Sequence, residues 1–372
     1  MNQGSEVIVI GGGLVGASVA WGLARLGAQV TLLDEGDDAL RASRGNFGLV
    51  WVQSKGLNMP AYARWSLHSA DLWPDLAAEL LERTGVDVGH ERPGGLILDL
   101  SEAEHRATVK TLADITAQCQ GRCAAYEVLD RGALHELLPD IGPSVAGATY
   151  SPADGHANPL YLLRALHTDF ARRKGVYRPR QHVREIRTEG ARTRVLTEAG
   201  SWVADKVVIT AGLATTGLAA QVGMTAPIRP LAGQIVVTER TSQFMPMPTN
   251  LIRQTREGGL MLGYTVDDFG YDTTARVDRS RDVAHKAVAA VPRIADLRIV
   301  RTWAALRIMT ADGFPIYDRS REHPGVYVAT CHSGVTLAAV HSMVVPEWIL
   351  SGRAPEEFDS FSTRRFDVQA SH

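Results

Sequence analysis

Gly11-Gly12-Gly13-Leu14-Val15-Gly16 sets three glycines in the spacing G-x-G-x-x-G, and the carboxylates of Asp34 and Glu35 follow. These residue types bind a dinucleotide; they break no bond themselves. Gly11 permits a tight turn, Gly13 lets a diphosphate come up to the backbone, and Gly16 lets a helix pack close to a sheet. A diphosphate at the start of that helix meets free N–H groups and the positive end of the helix dipole. The carboxylate of Asp34, or its neighbour Glu35, can then accept hydrogen bonds from an adenosine ribose.

For this chemistry the glycines must join a strand to a helix. Glu6-Val7-Ile8-Val9-Ile10 predicts the strand, and Ala17, Ala20 and Leu23 predict a tightly packed helix ending at Gly27. Gln29–Leu33 predicts a second strand. The small, polar run Ala42-Ser43-Arg44-Gly45-Asn46-Phe47-Gly48 then supplies a loop able to track a diphosphate towards a flavin, which favours FAD over NAD. Farther on, residues 59–84 read as helix, Gly94–Leu100 as strand, and Glu102–Gln118 as an exposed helix that Ser101 caps. A helix is expected from about Pro159, a hairpin over Val183–Glu189 and Arg192–Glu198, and an apolar strand at Lys206–Thr210. Strands follow at Gly233–Thr238, Leu251–Arg253, Leu260–Tyr264 and Val326–Ala329, with a last helix from about Val335. This order predicts an α/β protein of two interleaved domains. Residues 1–85, 145–222 and 310–372 form a Rossmann-like nucleotide-binding domain, and 86–144 and 223–309 a sheet-rich α+β substrate domain.

Of the 372 residues, Lys and Arg number 39 against 41 Asp and Glu, a net charge of −2 with no basic excess for nucleic acid. The apolar stretches Val207–Met224 and Gly334–Leu350 are interrupted by Gly and Thr or by His and Pro, so they read as buried elements and not as membrane spans. No signal segment is expected ahead of Glu6, and three cysteines make no disulfide framework, which points to the cytoplasm. Cys119 and Cys123 read as packing, and no metal cluster or Ser-His-Asp set stands out.

The glycine motif, the Ala-Ser-x-x-Asn-x-Gly loop, Val208-Ile209-Thr210-Ala211-Gly212, Trp303-Ala304-Ala305-Leu306-Arg307 with Thr310-Ala311-Asp312-Gly313-Phe314-Pro315, and His332-Ser333-Gly334 occur in order along nearly the whole chain. Together they resemble the D-amino-acid oxidase family of FAD enzymes, which includes glycine oxidase and sarcosine oxidase. Within it, Gly48–Gln53 and His332–Ala338 are most similar to the FAD subunits of opine oxidase and D-hydroxyproline dehydrogenase, with the cyanide-forming glycine dehydrogenase also similar.

The resemblance implies oxidation of a C–N bond in an amino acid or secondary amine by hydride transfer from Cα to flavin N5. It assigns cofactor contacts to Gly11, Gly13, Leu14, Val15, Gly16, Asp34, Glu35, Ser43, Arg44, Asn46, Gly48, Leu49, Val183, Ala211, Gly212, Arg307, Gly334, Val335 and Thr336. Arg307 falls where the family anchors the substrate carboxylate, a task that suits a planar, always-charged fork. His332 and Tyr264 are candidate catalytic residues, His332 for positioning more than proton transfer. Tyr271 and Trp303 are further candidate walls, and Cys331 stands where relatives carry Gly. Ala305 occupies the place of a flavin-linking Cys in monomeric sarcosine oxidase, so FAD is expected to be non-covalent. Those oxidases also carry an oxygen-activating Lys beside the flavin. After Lys206 this chain has only Lys286, which favours a dehydrogenase working with partner subunits that carry an iron–sulfur centre or a second flavin. His156 lies near where a chain of heteromeric sarcosine oxidase carries an FMN-linked His, so the resemblance also offers an FMN at a subunit interface there, the alternative being a histidine of the turn before the helix. The alternatives are a self-sufficient glycine, D-amino-acid or sarcosine-type oxidase making peroxide, and a non-catalytic FAD-binding subunit.

Overall fold

The computed structural model describes residues 7–36, 42–263 and 265–371. Strand β1 (Val7–Ile10) is buried at all four positions and lies parallel to β2 (Val30–Leu33) on one side and to Lys206–Ile209 on the other. Uniformly apolar strands are what a parallel sheet covered on both faces requires. Among the described residues six strands form this sheet, in the order Ile316–Arg319, Val326–Thr330, Lys206–Ile209, β1, β2, Val176–Arg178. Only the first pair is antiparallel. Helix α1 (Leu14–Arg25) is buried from Leu14 to Ala24 apart from Val15, and packs on the helices Pro159–Arg172 and Ala338–Met343. The fully buried Trp21 donates to Asp169 Oδ2 at 2.8 Å, which satisfies its one polar atom.

A four-stranded antiparallel sheet, in the order Ile252–Gln254, Gly259–Gly263, Ile228–Arg240, Ile299–Thr310, forms the second large layer. Its two long strands put Leu231 opposite Arg307 and Gly233 opposite Ala305. A smaller sheet sets Gly147–Ser151 between Gly95–Asp99 and Glu127–Leu129, and the hairpin Val183–Glu189 with Arg192–Thr197 gains a third strand, Gly200–Ala204. Helix α2 (Pro60–Thr84) and the helix Glu102–Gln118 form where expected. Ser101 caps the latter by accepting from Glu104 N at 3.2 Å.

The last helix differs from its expected form. Residues 334–337 make turns, the helix runs from Ala338 to Met343, and a second runs from Val345 to Ser351. Trp73 Nε1 binds the carbonyls of Val335 and Thr336, and Ser69 Oγ donates to that of Thr336, so these acceptors are drawn away from a helix. Pro346 lacks the N–H that would carry the first helix onward. Among the described residues no helix is long and apolar enough to cross a membrane.

Candidate active site

A cavity of about 780 Å³ runs from the β1–α1 turn to the loop after Val326–Thr330. At the turn, Gly11 has φ +103°, and a Cβ there would lie 2.5 Å from Thr210 O. A Cβ on Gly16 would stand 1.8 Å from Gly11 O, so α1 closes on the turn only with glycine at that position. Gly13 begins α1 without a side-chain cap, and a Cβ on it would come 2.8 Å from Ser43 Oγ. The hydroxyl of Ser43 accepts from Leu14 N at 2.8 Å. Gly11, Gly13, Leu14, Val15, Ser43 and Arg44 all reach the cavity wall, whereas Gly16 works from behind it.

Asp34, Glu35 and Val183 line the cavity at the end beside this turn. Asp34 Oδ2 accepts from Gly12 N at 2.6 Å and Oδ1 from Gly36 N at 2.9 Å, so the carboxylate also fixes the turn it faces. Glu35 pairs with His182 at 3.3 Å. Ala211 and Gly212 form part of the floor. Asn46, also in the wall, accepts from Gly48 N at 2.7 Å. Gly48 has φ +90°, and a Cβ there would meet Ala157 O at 2.6 Å. Gly48 and its neighbour Leu49, which pairs with His156, lie behind the wall.

The sequence did not single out the helix Pro159–Arg172 as part of this wall. Leu160, Leu163, Arg164 and His167 present a helical stripe to the cavity, with His167 Nε2 3.3 Å from Gly12 O. Burial lowers the pKa of His167, so it sits there as a neutral ring. The signal was a polar pair within an amphipathic face, a pattern that ordinarily reads as core.

At the opposite end Leu306, Ile308, Cys331, His332 and Gly334 face the cavity. Arg307 stands behind His332. Its Nη1 donates to His332 Nε2 at 3.1 Å and its Nη2 to Thr265 O at 3.0 Å, and among the described residues its buried Nε has no partner. Gly233 makes room for it, since a Cβ there would lie 2.8 Å from Nε. Both acceptors are neutral, and among the described residues no carboxylate lies within ion-pair distance of Arg307. Because Nε2 of His332 accepts, the ring proton is on Nδ1, which faces Ser333 Oγ at 3.4 Å. Burial first, then the charges of Lys55 and Arg307, push this histidine down to about 3. It is therefore neutral, with its lone pair engaged.

Thr336 Oγ1 accepts from Trp51 N at 3.1 Å, and the carbonyls of Val335 and Thr336 are taken by Trp73. Among the described residues the amides of Gly334, Val335 and Thr336 find no protein acceptor. Tyr271 reaches the cavity mouth at 71% exposure, while Trp303 ties its strand to the loop by donating to Gly45 O. Tyr264 lies outside the described residues. Lys286 is on the helix Val277–Ala290, but Lys55, which no sequence pattern marks, donates to Ser333 Oγ at 3.0 Å. His156 is buried in the pair Leu49–Val50 with Gly155–His156, its Nε2 3.7 Å from Glu91. That setting gives the expectation of an FMN attached there no support.

A glycine turn against a parallel sheet, and a long cavity ending under an antiparallel sheet, define an FAD-binding oxidoreductase fold. The chain belongs to the family described as FAD dependent oxidoreductase (DAO), which matches residues 6–348. It is 43% identical to an opine oxidase subunit of Agrobacterium tumefaciens, and 42% to its counterpart in Rhizobium meliloti, over 98% of each chain. Glycine oxidase from Bacillus cereus shares the fold with a TM-score of 0.85 at 26% identity, covering 96% of this chain and 98% of that one. The cavity fits FAD, since its volume lies in the upper part of the roughly 300–1,000 Å³ range of ligand sites and the start of α1, Ser43 and the carboxylate of Asp34 all line it.

Proposed function

We propose that this enzyme oxidises the C–N bond of a secondary amine bearing a carboxylate, such as an opine or D-hydroxyproline, as the catalytic subunit of a heteromeric dehydrogenase. The observation that carries the substrate class is Arg307, a deeply set guanidinium that among the described residues has only neutral partners and one donor unused. Such a group is poorly satisfied until an anion arrives. The 43% identity to a protein named as one subunit of opine oxidase supports the amine class and the multi-subunit assembly.

When bound, FAD would supply the acceptor for a hydride from the substrate Cα, leaving an imine that water hydrolyses. Asp34 and the α1 N-terminus would hold its adenosine and diphosphate, and the amides of Gly334, Val335 and Thr336 would stabilise negative charge on the reduced ring. Arg307 holds the carboxylate, and His332 fixes the guanidinium by accepting from it. With its lone pair engaged, His332 takes no proton from the substrate, so the amine reacts as the free base. Cys331 borders the cavity, but burial pushes its thiol up to about 12, which leaves no thiolate to link a flavin and favours non-covalent binding. Val277, Ile299 and Val300 are exposed at 85%, 51% and 61%, apolar side chains that a partner subunit would cover. That partner would carry the next redox centre, an iron–sulfur cluster or a second flavin.

Lys55 beside Ser333 supports a second reading, a self-sufficient oxidase, because a cation near the ring suits oxygen reduction. Anaerobic bleaching of the FAD-loaded chain by opines, D-hydroxyproline, proline, sarcosine, glycine and D-amino acids, followed by air, separates the two. Bleaching by an opine or D-hydroxyproline with slow recovery in air supports the dehydrogenase. Fast recovery with peroxide supports the oxidase, and no bleaching at all would remove the amine assignment.

A further inference from the structure

Lys55 lies in the loop that follows Leu49–Val50. Its Nζ donates to Ser333 Oγ at 3.0 Å and sits 5.7 Å from the centroid of the Tyr62 ring. Among the described residues no acid comes within ion-pair distance of it, although the buried carboxyl of Asp154 feels its charge. Its position is fixed from below. The buried carboxyl of Asp154 accepts from Val52 N at 2.5 Å, Gln53 N at 3.1 Å and Gln53 Nε2 at 2.6 Å. Gln53 Nε2 also donates to Gly95 O at 3.0 Å, and Gln53 Oε1 accepts from Thr149 at 3.1 Å. Lys55 N closes the turn onto Val52 O.

Ser333 links this cation to the cavity. Its oxygen can accept from both Lys55 and His332 Nδ1 while its own proton goes to Tyr62 Oη, 2.8 Å away. The residues on either side of it, His332 and Gly334, are both in the cavity wall. A positive charge is therefore held just behind the wall on a half-buried side chain, and its field reaches the buried ring of His332.

We propose that Lys55 is the fixed cation that sets the electron affinity of the bound flavin, positioned by Ser333 behind His332 and Gly334. The inference rests on placing the flavin ring at that end of the cavity. A cation there favours the electron-rich reduced ring, so its removal disfavours reduction.

The test is an anaerobic, dye-equilibrated reductive titration of the FAD-loaded protein and of Lys55→Met and Lys55→Arg. Lys55→Met is expected to shift the equilibrium towards oxidised flavin at least tenfold, about 30 mV for a two-electron couple. Lys55→Arg is expected to keep the potential within a third of that shift. An unchanged potential in Lys55→Met with FAD bound would overturn the proposal, as would a raised KM with an unchanged potential, which would make Lys55 a support for Arg307 only. Lys55→Gln gives the same readout if the Met variant does not fold. Arg307→Ala, assayed in parallel, separates the two failures. If its KM rises while Lys55→Met has no effect on the potential, the substrate site stands and the Lys55 role falls; if neither changes, the placement of the site falls as well.

Discussion

Arg307 and Lys55 are two cations at one end of a cavity, joined through His332 and Ser333. Replacing Arg307 by Ala should cost about 2–4 kcal/mol of transition-state binding, the scale for truncating a buried charge pair, with most of the loss in KM. Steady-state kinetics with an opine check this, and Arg307→Lys should recover only part because it loses the fork. Since His332 is neutral and engaged, the rise of kcat/KM with pH should follow the amine pKa of each substrate in turn. A rise at one fixed pH for every substrate would show a protein base instead. Asp154 makes a prediction for stability. Burial pushes its carboxyl up to about 7 from a usual value of 3.8. Between those values the folded chain holds a proton that the unfolded chain has lost, so its contribution is full below about pH 4, falls as pH rises to 7 and then levels. Asp154→Asn should flatten that part of a denaturant-midpoint-versus-pH profile. It should also lower stability by about 1–3 kcal/mol, because its amide would face the Gln53 donor. The residues of the glycine turn were legible in the sequence because their roles are local. Lys55 was not, because its partner is 278 positions away and only the fold brings them together.

At the scale of elements, the strand Ile299–Thr310 carries two jobs on alternate residues. Leu306 and Ile308 line the cavity, and Arg307 reaches the other way to His332 and Thr265. Period-two alternation was readable, but Gly233 across the pair gave no sign that it leaves space for a guanidinium. Gly233→Ala should therefore raise KM by displacing Arg307 and destabilise by about 1–3 kcal/mol, as overpacking does. Substrate titration and thermal unfolding of that variant check both effects. The strand order of the antiparallel sheet and the break before Val345 depend on distant carbonyl partners and on Pro346, so neither followed from periodicity alone.

For the whole molecule, the cavity draws its walls from Ile10 to Gly334, so a ligand filling it binds segments from both ends of the chain. Added FAD should raise the unfolding midpoint of the apoprotein in a concentration-dependent way, by about 2.7 kcal/mol of stability at 100 times its Kd. Calorimetry across an FAD series measures this, and a midpoint indifferent to FAD would contradict the assignment of the cavity. The strand Val326–Thr330 lies between Ile316–Arg319 and Lys206–Ile209, inside the sheet although it comes last in sequence among the described strands. While the ribosome is still working, Lys206–Ile209 is left as an open edge able to pair with a foreign strand. Cofactor loading must then wait for nearly the whole polypeptide to emerge, and premature termination anywhere before Val326 yields a sticky fragment in place of a weak enzyme.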